Sequence, residues 1–434
     1  MARTARRFRL LPALGACIAS ALAAGCDSLL DVTNPAAITE ESIGGQVDFM
    51  VNGVENEFRR EYAWLAAHGA MFTDEAIQGH PWSPWNVYDA RAITPDSPAY
   101  DGLSYQLLQA ARGTADVMIP KIEAVLGEAG ASSASLARAY AYAGYSYIML
   151  ADYMCEAPID RSAAHPQSAL YEMAAERLET AIDIATAARA GGDARADFVL
   201  ALARVGAARV YLNLDRDADA IAAASQVPAS FVARVHYAQD ASDWRVYNFY
   251  HWFAGYRFPG ELDMALEPAR FGTLADARMP IERDTTRRLG DGLRDGILPF
   301  QPSSFSEWSP EGRLFGEATA IRFASGLEAR YILAEAGGMS AVELRAFVNE
   351  RRSAGGDDTA FPGTDAELAA ELREQRFRDF FLDGHRMGDL RRYKRSGIDL
   401  WPTGPMPGLS QSYGTQECWP IAASEVASNP NLGG

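Results

Sequence analysis

Apolar side chains recur three and four residues apart over most of this chain, which is the period of a helix with one face buried. Phe49, Val54, Phe58, Leu65 and Phe72 keep that spacing and predict a helix over residues 43–72. The same reading predicts helices over 103–128, 136–154, 171–188 and 197–227, and a helical pair over 322–352 interrupted at Gly337-Gly338. Alternation is rare; ARVHYA at 233–238 is the clearest case and predicts a short strand. Residues 73–100 break the helical pattern with Pro81, Pro84, Pro95 and Pro98 among Trp82, Trp85, Tyr88 and Tyr100, and are expected to form a loop with no regular element.

Two of the helical segments carry a finer signal. Gly144 and Tyr147 lie three apart in 136–154, and Ala208, Tyr211 and Ala220 take the small, aromatic and small positions of a tetratricopeptide repeat. There the small residues let two antiparallel helices approach and the ring fills the seam between them. Four such units predict a helical-repeat scaffold. Residues 231–301 are different: rich in Gly and Pro, they crowd Trp244, Tyr247, Phe249, Tyr250, Trp252, Phe253, Tyr256 and Phe258 into fifteen positions.

The C-terminal stretch Leu368–Tyr393, LAAELREQRFRDFFLDGHRMGDLRRY, has no Pro and no β-branched residue, so its first half is strongly helical. Phe377, Phe380 and Phe381 spread apolar surface around more than half of that helix, so it is expected to be buried with its charges partnered. Glu374 with Arg378 at i+4 and Arg376 with Asp379 at i+3 are the expected pairs. Gly384 permits a break before a short basic helix.

Charge narrows the class of ligand. The formal net charge is −17, and residues 1–25 hold four Arg and no acid, so loss of that segment would make the chain more acidic still. An acidic surface argues against nucleic acid, which needs a positive footprint; a neutral polyhydroxylated ligand would be indifferent to it. Arg3, Arg6, Arg7 and Arg9 precede the apolar run Leu10–Ala24, too short to span a bilayer, and the segment is expected to be an export signal. Gly25-Cys26 after it resembles a bacterial lipobox, in which Cys26 would carry the lipid, although Ala23 stands where Leu is usual. Cys155 and Cys418 are then left over in an oxidising compartment, outside any metal-ligand spacing, and are expected to pair with each other. The six His are scattered, with no His-Glu-x-x-His, no Gly-x-Ser-x-Gly and no phosphate-cradling Gly loop. No metal, cofactor or catalytic residue is therefore assigned, and the chain is not expected to be an enzyme.

Three separated stretches resemble the SusD/RagB family of nutrient-uptake outer-membrane lipoproteins. Near the C-terminus Glu374, Arg376, Gly384, Arg386, Asp389, Leu390 and Arg391 fall on the family's pattern, with Asp379 and Asp383 where Glu is usual. After Cys26 comes the Leu-Asp-Val segment with Asn34-Pro35, and the tail carries Trp419-Pro420-Ile421, Glu425 and Asn429-Pro430, with Ala422 in place of a second Pro. The resemblance implies a mainly α fold: a tetratricopeptide-like scaffold with a loop-rich irregular half. Residues 1–25 would be the signal peptide and 26–434 one SusD-like domain, with scaffold at about 40–230 and 320–395 and loops at about 73–100, 231–320 and 396–434. It further implies a lipid-anchored protein of the cell outer membrane, surface-exposed, that passes a glycan or oligosaccharide to a SusC-like TonB-dependent transporter. Glycan binders of the family use aromatic-and-polar clusters from the loop after the first helix, which here singles out Asp74, Trp82, Trp85 and Asn86. A peptide ligand, or a scaffold that contacts protein alone, is the alternative.

Overall fold

The computed structural model describes residues 47–79, 83–238, 248, 250, 261–262, 264–279, 281–283, 288–289, 300–302 and 318–432. Residues 1–25, Cys26 and Trp82 lie outside them, as do most aromatics of 244–258. From Val47 the chain runs through helix α1 (Val47–Phe72), strand β1 (Ala76–Gln78) and short helical turns to α2 (Gln106–Leu126) and α3 (Ala134–Tyr153). A small hairpin, β2 (Glu156–Pro158) and β3 (Ala164–Pro166), precedes α4 (Gln167–Ala190), α5 (Ala196–Asn213) and α6 (Asp217–Ala224). Strands β4 (Val232–Val235), β5 (Met264–Leu266), β6 (Ile281–Arg283), β7 (Phe300–Pro302) and β8 (Ile321–Ser325) follow, then α7 (Gly326–Glu335), α8 (Ala341–Ala354), α9 (Asp365–Asp379) and α10 (Arg386–Arg395).

The repeat scaffold rests on glycine. A Cβ at Gly144 of α3 would stand 2.5 Å from Leu178 Cγ of α4, and one at Gly206 of α5 would stand 2.9 Å from Leu178 Cδ2. Two glycines on separate helices thus make room for one leucine, and three helices close around it. Ala208, Tyr211 and Ala220 are all buried at the α5–α6 seam. The Tyr211 hydroxyl donates to Glu179 Oε1 of α4 at 2.6 Å. The mainly α, tetratricopeptide-like reading of the sequence holds, and β4 forms within its alternating stretch.

Three expectations fail. Residues 73–100 hold β1, which pairs antiparallel with β5, and short helical turns at Ser83–Trp85, Asn86–Asp89 and Pro98–Tyr100, where a loop without regular structure was expected. Proline sets φ for the first turn of a helix and needs no donor there, so Pro98 starts the last turn instead of preventing it. Residues 322–325 form β8 rather than helix, because they pair with β4. Arg376 does not pair with Asp379: its Nε donates to Asp389 Oδ2 of α10 at 2.7 Å, while Asp379 is taken by Arg351 and Tyr331. Partners on other helices displace the i+3 neighbour because the whole group is buried, where a fully bonded arrangement outweighs a local one.

The C-terminal segment closes the molecule. Gly384 sits at φ +88°, a left-handed turn at the break between α9 and α10 that the sequence predicted, and Leu382 is also left-handed at +55°. Arg391 of α10 donates to the carbonyls of Ala151, Asp152 and Met154 at 2.7, 2.8 and 2.9 Å, capping the C-terminus of α3 with a cation. Gly388 permits this approach, since a Cβ there would lie 2.6 Å from Asp152 Oδ1. Cys155 and Cys418 form a disulfide, with Cα atoms 4.9 Å apart. Beside it Trp419 is fully buried against Tyr153 and exchanges backbone hydrogen bonds with Tyr153 and Cys155.

Candidate functional site

The residues singled out in the loop after α1 do not make an open platform. Trp85 is 4 % exposed, with its ring 6.3 Å from Trp64 and 5.2 Å, edge-on, from His68. His68 stacks on Tyr88 and shares a 2.8 Å hydrogen bond with Ser104 Oγ. Burial pushes the His68 imidazole down to about 3, so it is neutral at any ordinary pH. Trp85 is therefore a core residue, a correction to its expected role as a sugar-stacking ring. Asp74 is equally committed: both carboxylate oxygens accept from Arg386 at 2.6 Å. Burial alone would raise the Asp74 carboxyl, but Arg386 and then Arg270 more than offset this and hold it below its usual range. Asn86 is half-buried, its Oδ1 enclosed without a hydrogen-bond partner among the described residues. Trp82 lies outside the described residues.

What anchors the loop is the turn between α9 and α10. Glu75 Oε1 accepts from the Leu382 backbone N–H at 2.8 Å, and Tyr62 of α1 donates to the Asp383 carbonyl at 2.6 Å. Burial raises the Glu75 carboxyl to about 8, so this group is protonated beside its charged neighbour Asp74. Asp383 also holds His385 Nδ1 at 2.6 Å, and Arg209 of α5 donates to both oxygens of Glu328 at 2.6 and 2.8 Å. Every one of these charges is spent on the fold.

Two clefts in the helical half invite comparison. One, of about 450 Å³, lies between α2, α3 and α4 and contains Asp116, Glu123, Tyr140, Tyr147, Asp160 and Arg177. Two of its carboxylates are engaged: Asp116 accepts from Arg112, Tyr147 and Arg177, and Glu123 accepts from Tyr140. The other, of about 390 Å³, is bounded by α1, α3, the start of α5 and strand β4. Both fall in the size range of small-ligand sites. Phe198 stands 44 % exposed at the second cleft, backed by Phe231 at 5.5 Å, with Val232 37 % exposed beside it. Around this apolar floor stand Glu55, Arg138, Tyr142, Arg195, Arg234 and His236. Arg138 donates to Asn52 at 2.6 Å and lies 3.6 Å from Glu55; Arg195 is held by Asp193 at 2.8 Å. Burial, then the adjacent Glu55 carboxylate, raises the Tyr142 phenol, which stays protonated as a hydrogen-bonding group. An open ring face flanked by directional polar groups is the arrangement that takes the C–H face of a sugar together with its hydroxyls.

The sequence pointed to none of these residues. Phe198 lies in an Ala- and Leu-rich helix, where an aromatic is more readily taken for core. Arg234 carried one signal, its place on the polar side of the alternating ARVHYA strand.

The architecture of the described residues is a tetratricopeptide-like helical scaffold locked by an ion-paired C-terminal turn. That is the fold of the SusD superfamily. A SusD superfamily protein from Bacteroides vulgatus superposes with a TM-score of 0.62 at 16 % identity, over 90 % of this chain and 98 % of its own. One from Bacteroides fragilis gives 0.61 at 13 % identity over 90 % and 99 %. Surface glycan-binding protein A from Bacteroides thetaiotaomicron, in complex with laminarihexaose, gives 0.67 at 13 % identity over 89 % and 98 %. No protein-family model and no curated protein matches the sequence.

Proposed function

We propose that this protein binds glycans at the cell surface, as a lipoprotein attached through Cys26 to the outer membrane, and passes the oligosaccharide to a TonB-dependent transporter. The observation that carries this reading is the fold shared, over nearly the full length of both chains, with a surface glycan-binding protein whose structure holds laminarihexaose. The cleft at Phe198 supports it, because an exposed ring beside hydroxyl, carboxylate and guanidinium groups is what a sugar surface requires. The lining of the Phe198 cleft supports a binding role there over a catalytic one: hydrolysis of a glycoside needs two carboxyls facing each other across a cleft, and this cleft has Glu55 alone.

A glycan array on the chain lacking residues 1–26, followed by calorimetry on the hits, tests the reading. Binding to at least one oligosaccharide series, weakened in Phe198→Ala with an unchanged melting temperature, is the expected result. Binding to peptides and to no glycan would replace it with a peptide-receptor function. Cys26→Ala is expected to abolish incorporation of labelled palmitate in the producing cell, and wild-type protein that takes up no label would remove the anchor from the proposal.

A further inference from the structure

The two-stranded ribbon β4–β8 contains an unusual register. Arg234 of β4 lies directly opposite Arg322 of β8. Like charges in that position repel and are normally selected against unless something outside the ribbon compensates. Arg322 is compensated: it pairs with Asp383 at 3.0 Å, donates to the Asp379 carbonyl, and lies 4.8 Å over the Phe380 ring. Arg234 is not. It is exposed, and no hydrogen bond or ion pair engages it among the described residues.

Arg234 also belongs to two clefts at once. It lines the Phe198 cleft and a second one of about 400 Å³, with Arg278, Arg322, Arg351, Arg378 and Phe381. In that second cleft the acidic groups are occupied. Asp379 takes both Nε and Nη2 of Arg351 at 2.7 Å, and Arg278 and Arg378 are held by Asp276 at 2.6 and 3.4 Å. Each neighbouring guanidinium thus has a carboxylate partner, and Arg234, at the junction, is the cation left over among the described residues. The two clefts adjoin through it, so the surface offers a continuous run of guanidinium groups, with the exposed Phe198 ring on one side and the half-buried Phe381 ring on the other.

We infer that this run binds an oligosaccharide bearing carboxylates, a polymer of uronic acid residues, with Arg234 bonded to a ligand carboxylate. The inference rests on the glycan reading and specifies the class of glycan. Guanidinium matches carboxylate with two parallel N–H···O bonds, and a ring face beside it takes the apolar side of the same sugar. Two joined clefts suit an extended ligand rather than a single small anion. The formal charge of −17 does not oppose this. At physiological ionic strength the screening length is about 8 Å, so the charges within the cleft govern the ligand and the distant surface does not.

Calorimetry on the chain lacking residues 1–26 provides the test, with four probes: a uronic acid hexasaccharide, its neutral hexose counterpart, inorganic polyphosphate and an acidic peptide. The uronic oligomer should bind roughly tenfold or more tightly than the neutral one, about one charge-assisted hydrogen bond. Arg234→Glu should abolish that difference and Arg234→Lys should restore part of it, with no fall in melting temperature, because the side chain is exposed and Glu opposite Arg322 removes a like-charge pair. Neutral and carboxylated sugars bound equally, or an Arg234→Glu variant that still prefers the carboxylate, would overturn the inference while leaving the glycan function intact. Polyphosphate or the acidic peptide bound as tightly as the uronic oligomer would also overturn it, by showing a general anion surface. If neither sugar binds, the glycan function itself fails, and this inference fails with it.

Discussion

The seam between the loop after α1 and the turn before α10 and the β4–β8 ribbon are built from the same residue types, arginine, aspartate and large aromatics. They end in opposite states. At the seam Asp74 gives both oxygens to Arg386, Glu75 is kept protonated, and Trp85 is closed over by Trp64 and His68. At the ribbon Phe198 is open and Arg234 faces another arginine with no carboxylate of its own among the described residues. Burial explains the difference. A buried charge without a partner costs several kcal/mol, so the seam admits no remainder. An exposed guanidinium is solvated and costs little, so the ribbon can keep one for a ligand. An aromatic, acid- and Arg-rich stretch therefore says little about whether it is a site or a clamp until its exposure is known.

Four measurements can break or sharpen this contrast. The largest effect is expected at the far end of the seam. Reduction of the disulfide, or Cys155→Ser with Cys418→Ser, releases a closure spanning 263 residues. Chain entropy puts its contribution at roughly 5 kcal/mol, seen as a lower denaturation midpoint; a midpoint that does not move would show that Arg391 and Trp419 hold the tail unaided. Next come Asp74→Ala, which strands a buried Arg386, and Trp85→Ala, which empties a packed site. Each should cost about 3–5 kcal/mol of stability, with glycan affinity retained in the folded fraction. Affinity lost from Trp85→Ala at an unchanged melting temperature would return the binding site to that loop.

At the ribbon the sign of the experiment reverses. Phe198→Ala should leave the melting temperature within a degree or two of wild type and weaken binding by about 1–3 kcal/mol, the scale of stacking on an aromatic ring. A large fall in stability would make Phe198 a core residue and dissolve the contrast. The last test is a slope. Glu75 has a folded pKa of about 8, above the ordinary 4.5. Between those values the unfolded chain has released the proton that the folded chain still holds, so stability falls as pH rises from about 4.5 to 8 and is flat above. Glu75→Gln keeps an acceptor for the Leu382 N–H and cannot ionise, so its melting temperature should decline less than wild type over that window. Parallel profiles would mean that the carboxyl ionises in place.

Much was already present in the residue order. Helical periodicity, Gly144, the tetratricopeptide spacing around Tyr211, the alternation at 233–238 and the break at Gly384 are local properties, set by backbone sterics and by which faces must be buried. They were enough to define a mainly α repeat scaffold and to place its C-terminal turn. Other features were settled only when distant segments met. Arg376 left Asp379 for Asp389, residues 322–325 became a strand because β4 was there to pair with, and Trp85 turned inward because Trp64 and His68 offered a wall. The formal charge of −17 argued against nucleic acid and went no further, since composition sums over the surface and cannot show where one cation is left unpaired. Pairing, burial and exposure are relations between residues far apart in the chain, and they acquire values only in three dimensions; the periodicities that make each helix do not depend on them.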